Sequence, residues 1–574
     1  MIIPRALRCL LALVLAAAVA APGGSALAAG PGPAAASGRP RLLVAIAVDQ
    51  YSADLFAEFR QHYVAGLARL LRGAVFPNAF QSHAATETCP GHSTLLTGVH
   101  PARTGIVANN WYDTAIGRSD KRVYCAEDEL NPASTSSEPI VSAIHLKVPT
   151  LGERMKAAWP DSRNVAVSAK DRAVVMMGGH RIDAGFWWKG QGFTSFDARP
   201  LGDDTLEENA AVLAVLRKGA PALAMPEWCR AKDRAISAGG TEVGRGRFAL
   251  EPEQPEQFRV SPRVDAATLD LAVRLVGAMK LGKGAAPDLL SVSLSATDYI
   301  GHAYGTEGVE MCVQMAELDR ALGQFFARLD AMGIDYAVVL TADHGGLDVP
   351  ERLDQQAVPS AARASIGLTA GELSKALAAK LGLKTSVPPC RPVSPGTIDD
   401  EATHYLCSES AFGDYYVSRA LPERDRTRLR DALVAMLQTH PQVEKVWTSD
   451  DVGRVPYPAG NPQDWTIAER ARASWDAKRS GDVFVVLHRA TVPIPKPGPG
   501  YLATHGSPWD YDRRVPLLFW RKGMTGFEQP QPVETVDIAP TLSALIGLSI
   551  PEAAYDGRCL DLDPGPGNTC PAVR

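Results

Sequence analysis

Arg41-Leu-Leu-Val-Ala-Ile-Ala-Val48 is an unbroken apolar run closed by Asp49. A run without polar alternation predicts a strand buried on both faces, as in a parallel sheet. Largely apolar runs at 164–169, 288–294, 336–341 and 515–520 read as strands too, and 73–80 reads as a further strand. Shorter apolar runs at 174–179 and 185–188 predict two more strands. Between them, apolar residues spaced three and four apart predict helices over 53–72, 203–218, 265–281, 308–332 and 536–548. This alternation predicts an α/β fold, with a largely parallel central sheet and helices on both faces. There are no internal repeats and no heptads.

The rhythm breaks between 347 and 480, where helical stretches alternate with Pro-rich loops. That region reads as an inserted cap or lid. The apolar run 481–488 predicts a strand that resumes the core. The division expected is thus a leader, a core over 40–346, an insertion over 347–480, and the rest of the core over 481–574.

Several predicted strands end on residues with chemistry: Asp49, then Lys170-Asp171-Arg172, then Ser295-Ala-Thr-Asp298, then Ala342-Asp343-His344. In open α/β sheets ligands bind beyond the carboxyl ends of the strands. The stretch Thr86-Glu-Thr-Cys-Pro-Gly-His-Ser93 follows strand 73–80 and opens into a predicted helix, with Pro90 suited to its first position. A hydroxyl at Thr88 then lies beside free backbone amides and the positive end of a helix dipole, which favours an anion. Thr88 is therefore the candidate nucleophile, and helix capping is its plainer role.

Composition narrows the setting. With 574 residues, 46% apolar and 21% charged, the chain has the make-up of a globular protein. A net charge of -5 and a pI near 6.2 give no reason to expect nucleic acid or an anionic membrane as partner. Arg5 and Arg8 precede a short apolar run, and Ala26-Leu27-Ala28 supplies a small-x-small cleavage site. Residues 1–28 therefore read as a signal peptide, 29–39 as a disordered leader, and the protein as periplasmic or secreted, without stable membrane insertion. Eight cysteines follow the leader. Short spacings favour Cys390 with Cys407 and Cys559 with Cys570, and Cys89 reads as a buried free thiol.

Asp49, Asp298, His302, Asp343, His344 and His505 make up a candidate metal set drawn from four segments. Asp298 and His302 are four apart and share one face of a helical turn. Asp343 and His344 are adjacent, and Gly345-Gly346 permits the turn that lets them converge. Mixed carboxylate and imidazole ligands suit zinc or a similar ion. Two such ions can clamp the attacking and leaving oxygens of an in-line displacement. The other histidines read as structural, with His92 and His180 as candidates for supporting the ligands.

Taken together, Val48-Asp49-Gln50, Thr88-Cys-Pro-Gly-His92, Asn109-Asn-Trp-Tyr-Asp113, Lys170-Asp-Arg172, Asp298-x-x-x-His302, Asp343-His-Gly345 and Thr504-His-Gly506 resemble bacterial periplasmic alkaline phosphatases with a threonine nucleophile. These belong to the alkaline phosphatase superfamily, near the nucleotide pyrophosphatase/phosphodiesterases. The resemblance implies two Zn2+ per chain, one on Asp298, His302 and His505, the other on Asp49, Asp343 and His344 with Thr88 bridging toward it. It implies that Asn109, Lys170 and Arg172 hold phosphoryl oxygens, and that small phosphate monoesters are hydrolysed through a phosphothreonine, over a broad substrate range with some diesterase activity. A nucleotide pyrophosphatase/phosphodiesterase on the same core is the alternative, and the Lys170/Arg172 pair argues against it. A sulfatase would need Cys-x-Pro-x-Arg, which Cys89-Pro90 does not supply.

Overall fold

The computed structural model describes residues 38–391 and 404–570; the expected signal peptide and most of the expected leader lie outside them. A ten-stranded sheet runs through the molecule. Its order is Phe527–Glu528, Ala74–Phe80, Arg514–Arg521, Tyr336–Thr341, Leu42–Val48, Asp288–Leu294, Asn164–Ser168, Ala184–Lys189 and Gly192–Thr194, with Val533–Glu534 also on Ala74–Phe80. The strands from 336–341 across to 184–189 are mutually parallel, while Arg514–Arg521 and Gly192–Thr194 run antiparallel to their neighbours. Every residue of the three central strands is buried. They are predominantly apolar for that reason: flanking helices, including Pro262–Ala278 and Val309–Ala331, share one core with the sheet.

Register places the site. Val48 lies level with Leu294, Ala47 with Thr341, and Ser293 with Ser168. Four parallel strands thus end at one edge, and the residues just beyond them (Asp49, Asp298, Asp343 and Lys170) emerge side by side. A buried strand can release a charged residue only where it ends, so the four polar punctuation points converge.

Three local expectations need correction. Residues 53–72 form no single helix: Ala53–Phe59 gives way to a tight turn and then to Gly66–Leu70. The Asp319 carboxylate accepts the backbone N–H of Val64, Ala65 and Leu67, which starts the second helix afresh. Residues 174–179 are not a strand but most of the helix Asp171–Gly178. Six consecutive residues of it are buried, so no polar face betrays its period. The third case is Thr88, which is itself the first residue of helix Thr88–Thr97, placing Pro90 two residues in.

The strand at 483–487 does not rejoin the main sheet. It pairs with Gly413–Val417 and Val443–Thr448 in a second, four-stranded antiparallel sheet, completed by Leu406–Cys407. Helices Ala370–Leu381 and Glu423–Leu437 close a separate apolar cluster over it. This unit docks on the core through Arg122–Glu409 and through Arg479, which donates to the carbonyls of Gly105 (2.5 Å) and His145 (2.8 Å).

Cys390–Cys407 and Cys559–Cys570 are joined as their spacing predicts, and Cys229 is joined to Cys312. Cys89 is not a free thiol: it is bonded to Cys125, 36 residues on. Among the described residues no helix is long and apolar enough to cross a membrane.

Candidate active site

Thr88 sits at the head of a helix whose ten residues are all buried. Gly91 makes that depth possible, since a Cβ there would lie 2.0 Å from the Asp343 carbonyl oxygen. Thr88 Oγ1 lies 3.5 Å from Lys170 Nζ and 3.4 Å from Arg172 Nη2. Both cations stand just past the Asn164–Ser168 strand. Asn109 is fixed at two points. Its Oδ1 accepts the Cys89 N–H (2.7 Å), and its own N–H donates to Glu87 Oε2 (2.8 Å). The first bond also settles the amide orientation, leaving the NH2 group as the side able to donate to a ligand.

Beyond Thr88 the carboxylates and imidazoles close up. Asp298 Oδ1 lies 3.3 Å from His302 Nε2 and 3.2 Å from His505 Nε2. His344 Nε2 lies 3.4 Å from Asp49 Oδ1 and 3.2 Å from Asp343 Oδ2. Lys170 Nζ bridges the two halves, 2.6 Å from Asp49 Oδ2 and 2.5 Å from Asp298 Oδ2. Burial, then the neighbouring carboxylates of Asp298 and Asp343, push the Asp49 carboxyl well above the usual range. Burial would do the same to Asp298, but His302 and Lys170 outweigh it and hold Asp298 well below that range. Burial would lower the Lys170 ammonium, yet Asp298 and Asp49 raise it.

The ring protons show what this cluster is built to hold. Burial holds the His344 imidazolium down at about 3 and lowers that of His505, which favours the neutral ring at both. The Nδ1–H of His344 donates to the Gly345 carbonyl (2.9 Å), and that of His505 to the Thr86 carbonyl (2.8 Å). Each Nε2 is then a lone pair facing carboxylate oxygen. Lone pairs opposed at 3.2–3.4 Å repel unless a cation lies between them. Correspondingly, among the described residues Asp49 Oδ1, Asp298 Oδ1, Asp343 Oδ2 and His344 Nε2 are buried without a hydrogen-bond partner, while Asp49 Oδ2 faces the Lys170 ammonium. Among the described residues two groups have ligand spacing: Asp298, His302 and His505, and Asp49, Asp298 and His344. Asp298 belongs to both, which the sequence did not suggest, and Asp343 stands beside the second.

His92 supports the cluster as anticipated, 3.1 Å from Asp343 Oδ2 and hydrogen-bonded to the Thr88 carbonyl and Ser293. His180 does not: it pairs with Glu153 and is half-exposed. Sequence reasoning missed Glu87, Gln50 and Tyr299. Glu87 anchors Asn109, while the Tyr299 ring lies under Lys170 Nζ at 5.2 Å. The adjacency of Glu87 to Thr88, of Gln50 to Asp49 and of Tyr299 to Asp298 is the signal that could have found them.

Residues 43–508 match the family model described as type I phosphodiesterase / nucleotide pyrophosphatase. The chain is 48% identical to alkaline phosphatase PhoK of Sphingomonas sp. over 535 residues, 92% of each chain. It is 46% identical to alkaline phosphatase PhoD of Zymomonas mobilis subsp. mobilis over 537 residues, 92% of this chain and 89% of that one. The crystal structure of wild-type alkaline phosphatase PafA superposes with a TM-score of 0.76 at 25% identity, covering 91% of this chain and 98% of that one. With a family model matched over most of its length and relatives near half identical, the chain belongs to the type I phosphodiesterase / nucleotide pyrophosphatase family, within the alkaline phosphatase superfamily.

Proposed function

We propose that this protein is an exported, zinc-dependent alkaline phosphatase that hydrolyses phosphate monoesters through a phosphothreonine at Thr88. The observation that carries the reading is the position of Thr88 Oγ1. It lies within 3.5 Å of Lys170 and Arg172, beside a buried set of unpaired metal-ligand atoms. The relatives bearing the name alkaline phosphatase support it.

Asp49, Asp298, His302, Asp343, His344 and His505 would hold two zinc ions, Asp298 serving both groups. When bound, such ions supply Lewis acidity, favouring the Thr88 alkoxide and offsetting charge on the transferring group. The protein does the rest. Helix Thr88–Thr97 aims the threonine oxygen at phosphorus with its amide-rich end toward the anion. Arg172 offers a two-pronged match to phosphoryl oxygens, Lys170 a point charge, and Asn109 its NH2 donors. Burial strengthens each contact, because phosphoryl transfer depends on positioning and charge stabilisation.

The family description also favours a second reading, a phosphodiesterase on the same core. A monoester dianion carries more charge on its terminal oxygens than a diester, so the pair Lys170 and Arg172 suits the monoester. Losing a charged hydrogen bond costs roughly 1.5–3 kcal/mol, and about 1.4 kcal/mol is tenfold in rate. The double variant Lys170→Ala/Arg172→Ala should therefore slow monoester hydrolysis roughly a hundredfold or more and diester hydrolysis far less. Equal losses on both substrates, at unchanged zinc content, would favour the phosphodiesterase.

A further inference from the structure

Gln50 follows Asp49 where the central strand ends. Its φ is +66°, in the left-handed region that residues other than glycine seldom adopt. Its side chain is fully buried, and among the described residues neither Oε1 nor Nε2 has a hydrogen-bond partner. Each feature costs stability, and glycine at this position would remove both. Strain of this kind persists where the surrounding structure uses it.

What the side chain touches shows the use. A Cβ added at Gly301 would fall 1.6 Å from Gln50 Oε1, and one at Gly346 would fall 2.7 Å from Nε2. Gly301 lies between Asp298 and His302 on their helix, and Gly346 follows His344 by two residues. The Gln50 amide therefore fills the gap between the two segments that supply most of the metal-ligand atoms. Its backbone N–H donates to Asp343 Oδ1 (3.1 Å). One residue thus touches the Asp298–His302 helix, the Asp343–His344 turn and, through the chain, Asp49. The amide makes no hydrogen bond, so the glycines fit its outline and not its polarity.

We propose that Gln50 is a positioning residue: a steric wedge that sets the distance between the Asp298–His302 helix and the Asp343–His344 turn, and with it the spacing of the cation ligands. The proposal deepens the two-zinc phosphatase reading and rests on it.

The test compares zinc-loaded, full-length wild type with Gln50→Gly and Gln50→Met. The readouts are the rate of zinc release to a coloured chelator and the melting temperature of the metal-free protein. Residues that support metal ligands are typically worth 10–100-fold in affinity, so Gln50→Gly should release zinc roughly tenfold or more faster. Its metal-free melting temperature should stay close to wild type, because relief of the left-handed strain offsets the lost packing. Gln50→Met keeps the length of the wedge and should hold zinc within about threefold of wild type. Release from Gln50→Gly at the wild-type rate would overturn the proposal, as would release from Gln50→Met as fast as from Gln50→Gly. So would a Gln50→Gly protein that melts far lower but releases zinc unchanged, since Gln50 would then be ordinary packing. Wild type that holds zinc yet turns over no phosphate ester would count against the proposed function instead, and the zinc-release comparison would still decide the wedge.

Discussion

At the scale of single residues, hydrogen bonding on the far side of each imidazole decides what its near side can do. His344 and His505 donate Nδ1–H to backbone carbonyls, and His302 Nδ1 lies 2.7 Å from the Ala503 carbonyl oxygen. Each Nε2 is thereby turned toward carboxylate oxygen. Such bonds orient a ligand ring and raise its basicity. Because Asp298 belongs to both ligand groups, its removal should be felt in both. Asp298→Ala is expected to lose both zinc ions and nearly all turnover. His302→Ala, which belongs to one group, should lose closer to one ion. His440→Ala, in the second unit, should change neither, since its ring serves only the Gln442 N–H. Metal analysis alongside ester hydrolysis checks this, and an Asp298→Ala protein with full zinc content would remove Asp298 from the site.

At the scale of elements, the disulfide Cys89–Cys125 ties the head of the helix that Thr88 opens to the strand pair that begins at Asn110. Asn109 lies inside the tie. The Cys89 N–H donates to its side chain, and the Cys125 N–H to its carbonyl (3.0 Å). Cross-links over loops of this length contribute about 2–5 kcal/mol. Cys89→Ala/Cys125→Ala should therefore lose roughly that much unfolding free energy in denaturant titrations, and should slow turnover beyond what reduced folding explains, since Asn109 loses its frame. Turnover at the wild-type rate in the folded fraction would show that Asn109 needs no such support. The sequence concealed this pairing because sequence separation does not report spatial distance. It concealed the helix Asp171–Gly178 because a wholly buried helix shows no polar face. By contrast, Leu42–Val48, Asp288–Leu294 and Tyr336–Thr341 were legible, as strands covered on both faces read as predominantly apolar runs. Gln50 was illegible for another reason: nothing in a glutamine's identity announces a positive φ or a glycine on either side.

At the scale of the whole molecule, the parallel sheet and the site at its carboxyl edge follow from one rule, that charge leaves a buried strand only at its end. The second sheet was harder to read. Its strands alternate less cleanly, and one of them, Val483–Leu487, has the apolar run of a core strand. That strand is buried because two helices cover the small sheet, not because it returns to the large one. The two sheets and their docking contacts leave Thr88 at the meeting point of charge, metal ligands and a helix head. The central claim is that this hydroxyl takes the phosphoryl group. The direct measurement is an acid quench during turnover of a labelled phosphate monoester, followed by peptide mapping. Label on Thr88, with turnover nearly abolished in Thr88→Ala, is the result expected. Label on any other residue, or undiminished turnover in Thr88→Ala, would contradict it.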